Sequence, residues 1–149
     1  MKTTPFLNLG MAMVLVGLGT ACQCPFRGSA ETLYQAAPLT PVNSFTGGIE
    51  GPACDKEGNI FAVNFQKQQT IGRTTPAGKA ELFVTLPGKS TGNGIRFDRK
   101  GRMYIADYVE HNVLRIDPAT RKIEVFAHEP MMNQPNDLTI APDGTLYAS

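Results

Sequence analysis

Asn93-Gly-Ile-Arg-Phe-Asp-Arg-Lys-Gly101-Arg-Met-Tyr, residues 93–104, decides the fold, because the chain repeats this pattern on either side. Upstream stands Glu50-Gly-Pro-Ala-Cys-Asp-Lys-Glu-Gly58-Asn-Ile-Phe, and downstream Asn136-Asp-Leu-Thr-Ile-Ala-Pro-Asp-Gly144-Thr-Leu-Tyr. The turn glycines Gly58, Gly101 and Gly144 are 43 residues apart both times. A fixed period of about 40–45 residues holding several short strands predicts one blade of a β-propeller per repeat. Eight positions before each glycine stand Glu50, Asn93 and Asn136. Equivalent positions of successive blades lie around one axis. A carboxylate and two amides are therefore expected to form a ring of oxygen-bearing side chains, a candidate metal or substrate site.

The strands of a blade follow from the residues around each glycine. In the second copy, Ile95-Arg-Phe97 reads as a short inner strand, and Asp98-Arg-Lys-Gly101 as its hairpin turn. Met103–Asp107, Val113–Ile116 and 122–126 follow as further strands, with a turn at Asp117-Pro-Ala-Thr120. The first copy gives the same series: 60–63, 70–73, a turn at Thr75-Pro-Ala-Gly78, and 80–84. No sustained helical periodicity appears outside the N-terminal segment, so the class is all-β with four-stranded antiparallel blades.

Composition excludes several function classes. Fourteen Lys and Arg are interspersed with thirteen Asp and Glu, which favours neither nucleic acid nor an anionic membrane surface. Residues 1–21 carry Lys2, the apolar run Met11-Ala-Met-Val-Leu-Val-Gly-Leu-Gly19 and the small residues Thr20-Ala21. That order reads as a secretory signal, too short to span a bilayer, and implies an extracytoplasmic, periplasmic or secreted protein. Leu18-Gly-Thr-Ala-Cys22 loosely resembles a lipoprotein box with one residue too many, which leaves a lipid anchor at Cys22 open. Three cysteines, Cys22, Cys24 and Cys54, make no disulfide framework, and Cys54 reads as a core residue. Residues 22–45, with Pro25, Pro38 and Pro41, suit an extended lead-in, and the blades occupy 46–149. The third copy breaks off at Tyr147-Ala-Ser149, giving about two and a half blades where a closed ring needs about 4–8. The chain therefore reads as the N-terminal part of a longer protein.

Three segments carry a family resemblance: Glu50-Gly51-Pro52, Pro135-Asn136-Asp137-Leu138, and Pro142-Asp-Gly144-Thr-Leu-Tyr147. Together they resemble the gluconolactonase/regucalcin-like family over roughly residues 46–149, the first third to half of such a domain. The resemblance implies a six-bladed propeller acting as a calcium-dependent hydrolase of small lactones or related esters. It also implies a central Ca²⁺ or other divalent cation, with Glu50 as its anionic ligand. Asn136 falls on a blade-three amide that ligates the metal or contacts substrate. Asn93 falls on a pocket position, and Asp137 is expected beside it. The residues expected to perform catalysis lie beyond Ser149, so the 149-residue chain alone is expected to have little activity.

The residues themselves support part of that layout. A hard cation takes six to eight oxygen ligands, and a mixture of one carboxylate with amides keeps it electrophilic. Plainer readings stand beside this one. Glu50 can be a loop carboxylate, and Asn93, between Gly92 and Gly94, a turn residue. Asn136-Asp137 can cap a turn after Pro135. Asn64 and Asp107 occupy matching places and are expected to tie strand ends by hydrogen bonds. His111 and His128 lack partners at metal spacing and are placed in loops. Met131-Met132 suits either a pocket mouth or an apolar gap. Gly88-Lys-Ser90 imitates a phosphate loop, but Phe83 stands where its first glycine is needed. The competing function is a non-catalytic propeller that binds a ligand or partner on one face. The polar Glu/Asn/Asn ring favours the hydrolase, since a binding propeller needs no charge in its channel.

Overall fold

Each hairpin at a repeat glycine is closed by the residue three positions earlier. In the computed structural model, which describes residues 35–149, Asp98 Oδ1 accepts the N–H groups of Lys100 and Arg102, both at 2.9 Å. Gly101, at φ 80°, donates its N–H to Asp98 O at 2.9 Å. The first copy repeats the device: Asp55 Oδ1 accepts from Glu57 and Asn59, and Gly58 stands at φ 81°. In the third copy Ala141 holds the aspartate's place, and Gly144, at φ 93°, still bonds its carbonyl at 2.9 Å. Burial pushes the Asp98 carboxyl up. The Arg102 and Lys100 N–H groups and the Arg102 guanidinium outweigh it and hold the group below the usual carboxylate value.

These hairpins organise three antiparallel sheets. The first pairs, in chain order, β1 (Ala53–Cys54), β2 (Ile60–Val63), β3 (Thr70–Thr74) and β4 (Ala80–Thr85). The second pairs β5 (Gly92–Phe97), β6 (Met103–Asp107), β7 (Asn112–Ile116) and β8 (Ile123–His128). A third begins with β9 (Leu138–Ile140) and β10 (Leu146–Ala148). Bulges recur at equivalent places, between Ile71 and Gly72 and between Val113 and Leu114. Two four-stranded blades and the start of a third are therefore present, as the repeat predicts.

The middle strands of the second sheet are buried on both faces, and β6 shows why. Its alternate residues Met103 and Ile105 enter a core shared with Phe61, Ile71 and Phe83 of the first sheet. Tyr104 and Ala106 face the other way and pack with Val113 and Leu138, against which Met132 and Leu146 also lie. A strand between two layers needs apolar residues along its length; all five β6 residues are buried, and the one charged residue, Asp107, stands at its end with its oxygens hydrogen-bonded. Met132 thus fills an apolar gap, while Met131 is exposed. On the far face of the first sheet, Phe45 meets Phe65 edge to face at 5.2 Å.

Two expectations need correction. Cys54 is exposed rather than core, because β1 alternates and it is Ala53 that packs inward. His128 ends β8 instead of sitting in a loop, and its Nδ1 lies 2.8 Å from Asn112 Oδ1. His111 does lie in the β6–β7 turn, 2.9 Å from Met132 O. Asp107 ties strand ends as anticipated. Fully buried, it accepts Ser90 Oγ–H at 2.6 Å, Thr91 N–H at 3.0 Å and Asn112 Nδ2–H at 3.1 Å. Asn64, its counterpart, donates to Gly48 O at 2.8 Å. The signal-like run, Cys22, Cys24 and the first part of the lead-in lie outside the described residues. Among the described residues no helix is long and apolar enough to cross a membrane.

Candidate functional site

The ring positions converge. Glu50, Asn93 and Asn136 line one cavity of about 350 Å³, together with Gly51, Pro52, Gly94, Arg96 and Asp137. Each of the three stands at or just before the inner strand of its own sheet, so the 43-residue period becomes a step around the cavity.

Glycines set how close those steps are. A Cβ on Gly51, which has φ 55°, would lie 2.0 Å from Asn93 O and 2.8 Å from Gly94 Cα. One on Gly94 would lie 2.8 Å from Asp137 Cα and 3.0 Å from Asn136 O. Only a residue without a side chain lets successive inner strands touch backbone to backbone. The Gly94 N–H then donates to Asn136 O at 2.8 Å, and the Asn136 N–H to Ser149 O at 2.7 Å. The backbones of the ring are fixed in this way while the side chains stay available. None of the Glu50, Asn93 and Asn136 side chains has a hydrogen bond to another described residue.

Asp137 is different. Its Oδ2 accepts from Arg96 Nη2 at 2.8 Å, and its Oδ1 accepts the Leu138 N–H at 2.8 Å. Arg96 Nη1 in turn donates to Ile95 O at 2.7 Å. The sequence reading passed over Arg96. An extra residue in β5, where Gly92 pairs with Asp107 but Ile95 with Ile105, breaks the simple alternation between Asn93 and Arg96. The available signal was an arginine only three residues past a ring position.

A larger cavity of about 590 Å³ opens at the other end of the inner strands, among the hairpin turns. Of its four carboxylates, Asp55, Asp98 and Asp117 already accept N–H groups of their own turns, which leaves Glu57 alone without a partner among the described residues. The smaller cavity, where the three ring side chains Glu50, Asn93 and Asn136 are all free, is the better candidate. Among the described residues no three His, Cys, Asp or Glu side chains cluster as metal ligands. The ring's donors are one carboxylate and two amides, with no thiol or imidazole. That set suits a hard cation completed by water or substrate oxygens.

A gluconolactonase of Zymomonas mobilis is 24% identical over 126 residues, covering 75% of this chain and 35% of the relative. The resemblance is to the gluconolactonases. The chain spans about a third of the length of that curated relative. No family model matches. Among solved structures, a Xanthomonas campestris gluconolactonase superposes with TM-score 0.62 at 18% identity, covering 74% of this chain and 36% of that one. Virginiamycin B lyase from Staphylococcus aureus superposes with TM-score 0.60 at 16% identity, covering 77% and 38%. These likenesses establish the propeller fold. They do not choose a chemistry, since one fold carries both a lyase and a lactonase.

Proposed function

We propose that this chain supplies the first blades of a hydrolase of small lactones or related esters that works with a calcium-like divalent cation. The observation that carries the reading is the convergence of Glu50, Asn93 and Asn136 on one cavity with their side chains uncommitted. The sequence likeness to a gluconolactonase supports it. Glu50 brings the one unpaired carboxylate and holds the cation. Asn136 contributes a neutral oxygen to the ion or an Nδ2–H to a substrate oxygen beside it. Asn93, half-buried between the other two, orients a substrate hydroxyl or carbonyl. When bound, a cation of this kind polarises an ester carbonyl and positions water. The acid or base that moves the proton belongs to later blades, and export follows from residues 1–21.

Glu50→Gln in the complete protein tests this reading. The exchange keeps shape and removes the charge. Loss of an outer partner of a metal site costs about 10–100-fold, so loss of a charged ligand should cost about a hundredfold or more in lactone turnover. Cation affinity should fall with it, while folding survives because the side chain is exposed. Full cation-dependent turnover in Glu50→Gln would refute the assignment.

A further inference from the structure

Two positions of the repeat change together. The residue after the ring position reads Gly51, Gly94 and Asp137; the residue three after it reads Ala53, Arg96 and Thr139. Arg96 from the second sheet and Asp137 from the third meet across their boundary at 2.8 Å. The preceding boundary places Ala53 and Gly94 at the same two sites, so blades pack there without an ion pair. The fold does not require this one. Its side chains are 37% and 52% exposed, and a pair so solvated adds little stability.

Its location gives it another use. Asp137 lines the same cavity as Glu50 and is a second hard carboxylate within it. Both of its oxygens are engaged, one by Arg96 and one by the Leu138 N–H. Glu50 has no such partner. Arg96 is itself anchored by its second nitrogen on Ile95 O, which aims the guanidinium fork at Asp137. We propose that Arg96 holds the Asp137 carboxylate out of the cation's coordination sphere, leaving Glu50 as the only free carboxylate in the cavity. This rests on the reading that a cation sits at Glu50. Arg96 is then a positioning residue that sets the charge of the site. A second carboxylate on the ion would bind it more tightly and weaken its pull on a substrate carbonyl.

Europium(III) in place of the native cation tests this in the complete protein, because luminescence lifetimes in H₂O and D₂O count the waters on the ion. Arg96→Gln should bind it about tenfold more tightly and lose about one or two waters as Asp137 enters. Arg96→Gln combined with Asp137→Asn should regain the wild-type water count, and Asp137→Asn alone should keep it. Tighter binding by Arg96→Gln with an unchanged water count would mean charge acting through space, and would overturn the proposal. So would a changed count in Asp137→Asn. Glu50→Gln separates the two readings: undiminished europium binding there removes the cation reading itself, whereas lost binding with an unresponsive Arg96→Gln removes only the role of Arg96.

Discussion

Phe83 and Phe126 occupy the same place in the first two blades, 43 residues apart, yet one is 3% exposed and the other 46%. Both lie on the outermost strand of their sheet, and both follow a Glu-x pair that starts with an arginine partner across the ladder: Arg73 with Glu81, Arg115 with Glu124. The difference lies in what comes next. Phe83 enters the core shared with the second sheet, and the Arg121 guanidinium lies 5.2 Å from its ring. Phe126 meets Tyr104 within its own sheet and Arg115 at 5.0 Å, with its remaining surface open. A blade thus packs against its successor as well as within its own four strands, as expected for stacked repeats.

The sharpest way to break that comparison is to truncate both rings. Phe83→Ala should destabilise the protein by about 3–5 kcal/mol, the usual cost of emptying a buried phenylalanine site. Phe126→Ala in the same chain should cost about 1 kcal/mol or less, because only its aromatic and cation contacts are lost. Urea unfolding of the two variants decides it. Equal losses would show that the second blade's outer strand is covered as well as the first.

The same contrast separates what the sequence reveals from what it conceals. The period, the turn glycines and the ring positions are local signals that recur, and each turn glycine has the positive φ its place demands. Strand identity was equally readable, because 60–63 and 103–107 are short, mostly apolar runs that follow turn glycines. Cys54 reads as core because cysteine is usually buried and it follows Pro52-Ala53, while its actual direction depends on the two-residue strand β1 and its pairing with Ile60. Arg96 was missed for a similar reason, since the bulge in β5 is a property of the ladder and not of the segment. Site membership across blades was legible through register alone. The pairing of Arg96 with Asp137 was not, because it joins residues 41 apart that occupy different positions of the repeat.

A second test compares glycines that look alike in sequence. Gly94 and Gly101 sit in one copy of the repeat, but only Gly94 presses on a neighbouring blade. Gly94→Ala would drive a methyl group against the Asp137 backbone and should cost about 1–3 kcal/mol, with the cavity distorted as well. Gly101→Ala meets open space and carries only the strain of φ 80°, about 1 kcal/mol. If the two variants unfold at the same urea concentration, blade contact at the ring is looser than the backbone indicates.

The smallest expected effect compares the hairpins themselves. Asp98 closes the second hairpin, whereas in the third Ala141 holds that place and Asp143 takes the equivalent N–H, that of Thr145, instead. Because the folded Asp98 carboxyl titrates below its ordinary value, its ionised form is favoured by the native state. Its contribution is therefore complete above the ordinary carboxylate range near pH 4 and is lost as pH falls through the lowered folded value. Asp98→Asn keeps an oxygen for the turn N–H groups but cannot ionise, so it should cost about 1 kcal/mol at pH 7. The gap between wild type and variant should narrow as the pH drops below about 4. Asp143 in the third hairpin is held low mainly by the Thr145 N–H, but it is exposed, and Asp143→Asn should shift stability less. A gap for Asp98→Asn that stays constant down to pH 3 would mean that the turn is held by its geometry and not by the charge.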